Sequence, residues 1–501
     1  MLFTKTFRAM LIPILVIAVA STVSAAATTP KFGTRAFYAV DSRAREARSV
    51  DVNGDGKADL VVVNLQGAVT VYLGNGDGTF NLPVDYPAGG PNAQSLAVGD
   101  VNGDGKADLM VTNTCALATT CGNGDVAVLI GNGDGSFQPP VTYDTGGMTA
   151  TRVIARDVDK DGKLDLLVVN SSSSSVGVLL GNGDGTFRAA VTYAAAGGTP
   201  QDLAVADMDK DGKLDLVVAT SCDFLTLCGV DVLLGNGDGT FRAAVLRGAV
   251  SMGGVSLRVA DFNGDKKPDV AMSTYDSTPV HSSIGVFLGN GDGTLRPVVQ
   301  YSVGGLANQT IGYLAVGDVN GDGAIDMMVS TRCNPYLYGC IDDKIGLLLG
   351  NGDGTFQASL PFYTGRIGPA EVTLTDLNGD GKPDMVVPCS GNHNNPALSV
   401  RLNTTQATPQ TALVSSQNPA PVNFTVTLTA TVSGLYAGKT TGSVSFKQGP
   451  ALLGTVPVVG GKAKLDHIFF KPGSFALTAV FLGDHNNLKS PSAVLTQVVM
   501  P

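Results

Sequence analysis

An all-β chain is predicted, a seven-bladed β-propeller followed by a β-sandwich, and three observations predict it. A nine-residue acidic loop, first written D-V-N-G-D-G-K-A-D from Asp51 to Asp59, occurs seven times between residues 51 and 384. Its copies start at Asp51, Asp100, Asp157, Asp207, Asp261, Asp318 and Asp376, at intervals of 49 to 58 residues. Short apolar runs flank every copy, and after residue 403 the loop gives way to alternating apolar and polar residues.

The chain opens with Lys5 and Arg8 ahead of an apolar run from Met10 to Ala20, and V-S-A at 23 to 25 puts small residues where a signal peptidase cuts. Residues 1–25 are therefore expected to be a removed secretory signal, with 26–31 a short N-terminal segment. The run is short for a membrane span, and no other stretch of ~20 apolar residues follows.

Between 32 and 403 each repeat reads as an apolar strand, the acidic loop, a D-L-V-V-V type strand, a variable loop, a V-x-V-x-L strand, G-N-G-D-G-T-F and a last strand. Four short strands cannot bury their faces alone, so neighbouring repeats must stack, and a ring of four-stranded blades is the natural solution. In four repeats an aromatic or Leu is followed six residues later by Tyr: Phe80 and Tyr86, Phe137 and Tyr143, Phe187 and Tyr193, Leu295 and Tyr301. The seventh repeat stops at Asn403 without this piece, and Phe32 and Tyr38 carry the same spacing at the N-terminus. Residues 32–40 are expected to complete the last blade, which removes the ring's open edges.

Alternate positions of a tight acidic turn aim oxygens at one point, and a hard cation taking six to eight oxygens at ~2.3–2.6 Å uses such a loop. Calcium is the expected ion, up to seven per chain. The predicted ligand positions are one, three, five, seven and nine, the seventh through its backbone carbonyl. They are Asp51, Asn53, Asp55, Lys57 and Asp59; Asp100, Asn102, Asp104, Lys106 and Asp108; Asp157, Asp159, Asp161, Lys163 and Asp165; Asp207, Asp209, Asp211, Lys213 and Asp215. The remaining copies contribute Asp261, Asn263, Asp265, Lys267 and Asp269; Asp318, Asn320, Asp322, Ala324 and Asp326; and Asp376, Asn378, Asp380, Lys382 and Asp384. Position six is Gly in six copies, where positive φ is expected, and Lys266 in the fifth, which sets that site apart. Position twelve is Val62 in place of an EF-hand Glu, so the loop sits in a β-hairpin and its affinity is expected near 10⁻⁴–10⁻³ M, as in extracellular modules. The competing reading is that Asp, Asn and Gly only make turns, and turn chemistry is the reading taken for the six G-N-G-D-G-T/S segments.

These repeats resemble the FG-GAP and VCBS-type repeats of integrin α-subunit propellers and many bacterial secreted proteins, over residues 32–403. The resemblance implies a propeller whose acidic hairpin loops hold calcium. Lys266 departs from the family pattern, and the seventh repeat lacks G-N-G-D-G-T-F.

Six of the seven cysteines form short local pairs, Cys115 with Cys121, Cys222 with Cys228 and Cys333 with Cys340, each in the variable loop after the second strand. Disulfides there fit an exported protein. Cys389 has no local partner and reads as a buried thiol or a vestige of a lost bridge. Residues 404–410 have linker character, and strands such as V-N-F-T-V-T-L-T-A-T-V and G-S-F-A-L-T-A-V-F over 411–501 suggest a sandwich of about seven strands. That region resembles the bacterial Ig-like domains, in A-L-L-G-T and A-V-F-L-G-D-H-N.

Of 43 acidic residues, 23 are Asp at the ligand positions. Losing Lys5 and Arg8 takes the formal charge from -10 to -12, and seven Ca²⁺ would bring it near +2. No basic run suggests nucleic acid. No catalytic constellation is evident among His281, His393, His467 and His485, and the absence of Trp weakens a stacking lectin, leaving Tyr336 and Tyr338 as candidate platforms. The expected function is a non-catalytic, secreted or cell-surface adhesion or recognition protein, with the periplasm as the alternative compartment, no membrane span after signal removal and a monomeric propeller. Its partner is an extracellular protein or glycan, met by the face opposite the acidic loops. The alternative is a carbohydrate-active enzyme such as a polysaccharide lyase.

Overall fold

The computed structural model describes residues 29–40, 44–114, 124–222, 228–250, 254–275, 282–303, 309–333, 344–366, 368–389, 396–434 and 442–501. The expected signal, Cys115, Cys121, Cys340, Tyr336, Tyr338, His281 and His393 lie outside the described residues.

Among the described residues, seven four-stranded antiparallel sheets are formed. The first runs Ala44–Val50, Asp59–Asn64, Ala68–Tyr72 and Val84–Pro87 from inside to outside. Its second strand, D-L-V-V-V-N, is buried along its whole length because sheets cover both faces, which is why the sequence there is continuously apolar. The outer strand is four residues long and mostly exposed, leaving little edge to protect.

The inner strands touch in a closed cycle. Ala44–Val50, Ala93–Gly99, Ala150–Arg156, Thr199–Ala206, Leu257–Ala260, Gln309–Gly317 and Thr373–Thr375 each meet the next, and the last meets the first. The sheets share apolar cores: Val61, Val63 and Val71 pack with Leu96, Leu109 and Leu129, and at the closure Leu60, Val62 and Tyr72 pack with Val386, Leu398 and Val400. Each such side chain is worth about 1.5–3 kcal/mol when fully buried. These contacts make the array a propeller.

In the seventh sheet the outer strand comes from the other end of the chain. Ala36–Ala39 pairs antiparallel with Ala397–Arg401, Ala36 opposite Val400 and Ala39 opposite Ala397. Phe32 bridges Asn403 as Phe80 bridges Gly74 in the first sheet. The outer tyrosines meet the Phe of the following repeat and not that of their own. Tyr38–Phe80, Tyr86–Phe137, Tyr143–Phe187, Tyr193–Phe241 and Tyr301–Phe356 are edge-to-face pairs with centroids 5.3 to 5.5 Å apart.

The C-terminal region is a sandwich. Gln410–Ser415, Thr425–Ser433 and Lys462–Ile468 form one sheet; the other is built on Gly473–Phe481, Ser443–Gln448, Ala451–Pro457 and Leu495–Met500, with two-residue strands Ala420–Pro421 and Ser490–Pro491. Val426, Leu428, Phe446, Leu477 and Phe481 fill the space between. The two short strands take the count to nine among the described residues. No helix among them is long and apolar enough to cross a membrane.

Candidate metal centres

Each acidic loop joins the inner strand of a sheet to the second strand, so all seven leave the ring at equivalent places. In the first, Asp51 folds the turn around its carboxylate. Oδ1 accepts from the N–H of Gly54 at 2.7 Å and of Asp55 at 3.2 Å, and Oδ2 from Gly56 at 2.8 Å. Asn53 Oδ1 accepts from Asp55 N at 3.0 Å, and Asp55 Oδ1 from Lys57 N at 3.0 Å. Gly54 and Gly56 have φ of 75° and 78°, so position four as well as six is left-handed.

Lys266 keeps that turn. Its φ is 62° and its N–H reaches Asp261 Oδ2 at 2.8 Å, as Gly56 reaches Asp51, so the fifth loop has the backbone of the others at the cost of a left-handed non-glycine. Lys160 and Lys210 adopt the same conformation at position four of the third and fourth loops, with φ of 62° and 60°.

These two loops carry Asp at position three. Asp157, Asp159 and Asp165 bring carboxylate oxygens within 4.8 Å of one another, and so do Asp207, Asp209 and Asp215. Asp157 Oδ1 and Asp207 Oδ1 are buried without a hydrogen-bond donor. A buried anionic oxygen left without a donor beside two further carboxylates suits a cation. These clusters fit a metal ion, with oxygen donors that suit a hard one.

Position nine has a second role that its spacing does not reveal. Asp59 is fully buried; Oδ2 accepts from Val52 N at 3.0 Å inside the loop, and Oδ1 from Gly74 N at 2.7 Å in the G-N-G-D-G turn. The same pair of bonds is made by Asp108, Asp165, Asp215, Asp269 and Asp326. In the seventh sheet Asp384 takes Leu377 N and, where the G-N-G-D-G turn is missing, Asn403 N at 2.6 Å. Burial raises the carboxyl of each above its ordinary range, and pushes Asp326 and Asp384 up to about 7.

The lysines at position seven also act through their side chains. Lys57, Lys106, Lys163, Lys213, Lys267 and Lys382 each place Nζ 3.0 to 3.8 Å from the carboxylate at position five. A cation bound in the loop would share that carboxylate with the lysine.

The G-N-G-D-G-T/S segments are turns, and they also join sheets. Asp77 Oδ1 accepts from Thr79 N at 2.9 Å to close the first turn. Gly135 N donates to Val52 O at 3.1 Å in the preceding loop, and Gly185 to Val101, Gly293 to Met208 and Gly354 to Phe262, each at 3.0 Å. Each of these loops is thus bonded to the turn of the next repeat.

A buried charge cluster lies on and beside the inner strands, with Glu46, Arg152, Asp202 and Glu371 five residues before an acidic loop and Arg48 and Arg258 three before. Arg152 reaches Glu46 at 3.3 Å, Asp202 at 3.0 Å and Glu371 at 2.8 Å. Arg258 pairs with Asp202 at 3.0 Å and Glu371 at 2.6 Å, and Arg48 with Glu46 and Glu371. Three guanidinium groups thus meet three carboxylates. Burial alone would raise Glu371, but Arg152, Arg48 and Arg258 outweigh it and hold the carboxyl well below the usual range. Glu46 is shifted the other way: burial raises its carboxyl despite Arg152 and Arg48 beside it. The sequence signal was available: Glu46, Ser95, Arg152, Asp202, Ser256, Tyr313 and Glu371 all stand five residues before a loop start, a polar residue at the same place in every repeat.

Cys222 and Cys228 form a disulfide, and residues 223–227 between them lie outside the described residues. Cys389 is fully buried, with Sγ 3.5 Å from Val387 O. His467 stands edge-to-face on Phe469 at 4.7 Å in the C-terminal sandwich, and burial lowers its pKa.

Comparison with known proteins matches the FG-GAP-like repeat to residues 51–111, 116–168, 157–218, 274–329 and 334–387, and the bacterial Ig-like domain (group 3) to residues 413–500. No curated protein matches. Among solved structures, the periplasmic gluconolactonase PpgL of Pseudomonas aeruginosa is similar at 14% identity and TM-score 0.49, over 84% of this chain and 98% of that one. The extracellular domain of a hybrid two component system of B. thetaiotaomicron is similar at 10% identity and TM-score 0.43, over 94% of this chain and 59% of that one. A second structure of that extracellular domain, described as a one component system, gives 10% identity and TM-score 0.41, over 93% and 61%. This chain spans about three fifths of the length of those two domains.

Proposed function

We propose that this chain, which belongs to the FG-GAP-like repeat family and ends in a bacterial Ig-like domain, is an exported, calcium-stabilised binding protein. The observation that carries the reading is the division of labour between loops. The acidic loops and G-N-G-D-G turns are near-copies, tied together by Asp59 and its equivalents, whereas the connections at the other end of the strands differ from repeat to repeat. Uniform loops suit a repeated ion and recognition needs variety, so the partner, an extracellular protein or glycan, is assigned to the second face. Calcium follows from all-oxygen donors in a loop without a bidentate Glu at position twelve. The paired state of Arg48, Arg152 and Arg258 with Glu46, Asp202 and Glu371 supports binding over catalysis.

The test is a glycan and matrix-protein binding array run beside turnover assays on polysaccharides and a sugar lactone. Saturable binding without product is expected; turnover lost on substitution of a single titratable residue would replace this reading with an enzyme. Thermal unfolding in chelator and in millimolar Ca²⁺ is expected to differ by many degrees, since an ion that binds only the native state stabilises it. Identical melting curves would remove calcium from the account.

A further inference from the structure

At the outer seam, where the sixth sheet meets the closing strand, three arginines gather without an acidic partner. Phe32, Gly33, Thr34, Arg35 and Arg401 line an open depression of about 520 Å³. Arg401 is fixed by carbonyls: Nε donates to Gly33 O at 3.2 Å, Nη2 to Phe32 O at 3.0 Å and Nη1 to Tyr363 O at 3.4 Å. Arg35 lies over Gly365, where a Cβ would collide with its guanidinium; φ there is +76°, so glycine serves both the turn and the approach. Arg366 follows directly, its guanidinium 4.8 Å from the ring centre of Phe37. Its Nε is buried with no hydrogen-bond partner.

Among the described residues none of these three forms an ion pair with a carboxylate, although the whole chain carries a formal charge of -10. The arginines of the central cluster, by contrast, are matched by carboxylates one for one. Burial lowers the pKa of Arg401, and the charge of Arg35 lowers it further. Like charges placed together with an unused buried donor mark a place for an external anion.

We propose that this seam binds an acidic glycan through its carboxylate or sulfate groups. Guanidinium forks match both anions, and a depression of this size is in the range of small-ligand sites of about 300–1,000 Å³. Phe37 and Tyr363, 42% and 45% exposed, flank the arginines with apolar surface for sugar faces. Charge would supply here what the missing Trp cannot supply by stacking. The seam does not depend on the loop-bearing face assigned to a partner above, so either assignment can fail alone.

The test is calorimetric titration of the full exported protein, in millimolar Ca²⁺, with oligogalacturonate, a sulfated chondroitin oligosaccharide and neutral dextran. At least one acidic sugar is expected to bind, and dextran is not; which one binds separates a carboxylate from a sulfate ligand. Arg35→Glu with Arg366→Glu is expected to weaken binding at least about tenfold, since each removes a charge-assisted contact and adds a repelling one. Arg242→Glu, an exposed arginine elsewhere, should leave it unchanged. An unchanged calcium-dependent melting temperature shows that the double variant is folded; should it fail that check, Arg35→Gln with Arg366→Gln takes its place. The proposal is overturned if no acidic sugar binds, if dextran binds equally, or if binding follows calcium and ignores the arginines. Equal competition by an aspartate-rich peptide would overturn it in favour of a protein ligand.

Discussion

The ring of Phe32 meets that of Phe362 edge-to-face, with centroids 5.4 Å apart and planes at 83°. Tyr86 with Phe137 and Tyr143 with Phe187 make the same contact at the same distance between successive repeats. Phe32 therefore stands where the seventh repeat has lost its own Phe, and one end of the chain repairs the other.

Phe32→Ala should cost about 3 kcal/mol of stability, the usual loss for a buried aromatic, read by guanidinium unfolding in saturating calcium. Phe32→Leu should cost much less, because the fifth repeat already uses Leu295 at this place. Phe37, half-exposed on the strand that follows Phe32, should tolerate Ala with little change. Equal losses at 32 and 37 would contradict a special role for Phe32 in closure.

Asp159 and Asp165 belong to one acidic loop but should fail differently. Asp165→Ala strips the partner from Val158 N and Gly181 N, both buried, at about 1–3 kcal/mol for each orphaned donor. That loss should appear with and without calcium. Asp159→Ala removes an oxygen whose one bond within the loop is from Asp161 N, so it should lower the melting temperature only when calcium is present. Parallel behaviour of the two variants in chelator would reject the dual role of position nine.

The contrast between these residues shows why parts of the molecule were legible in sequence and others were not. The loop carries its own turn chemistry within nine residues, so its repetition announced the sheets and their circular stacking. The Phe32 and Tyr38 spacing announced a strand without a sheet, opposite a sheet short of a strand. Nothing local announces that Asp59 collects N–H groups from seven residues before it and fifteen after it, or that Tyr86 faces Phe137 and not Phe80. Glu46, Arg152 and Glu371 are far apart in the chain, and their partnership exists only once the inner strands are arranged around a ring. The seam arginines were hidden for the same reason, since Arg35 and Arg401 come from opposite ends of the propeller.

The central charge cluster should behave as a unit. Arg152→Met leaves Glu46, Asp202 and Glu371 buried with two guanidinium groups in place of three, and breaking such a pair typically costs about 3–5 kcal/mol. Adding Glu371→Gln removes one of the under-compensated buried charges and should recover part of the loss, so the double variant should be more stable than the sum of the singles predicts. Strict additivity in denaturant unfolding would show that the contacts are independent.

Stability of the metal-free protein should fall as pH rises from about 5 to 7 and then level off. Asp326 and Asp384 are pushed up to about 7 in the fold, against 3.8 as the ordinary value. Between those limits the folded state holds more protons than the unfolded one, so each rise in pH draws the equilibrium toward unfolding. Below the unfolded value their contribution is complete; above about 7 it is gone. Glu371 is shifted the other way, so it withdraws stability as pH falls, but its window lies in strong acid and leaves this range alone. Calcium reverses the trend, because the ion needs ionised carboxylates and must displace these protons. Its affinity at the sixth and seventh loops should drop by roughly tenfold per pH unit below 7, for each proton displaced. The measurement is melting temperature from pH 5 to 8 on protein stripped over a chelating resin, since soluble chelators weaken in acid, repeated with added calcium. Metal-free melting that rises steadily toward pH 8, or calcium binding that ignores pH between 6 and 8, would show that Asp326 and Asp384 are already ionised in the fold.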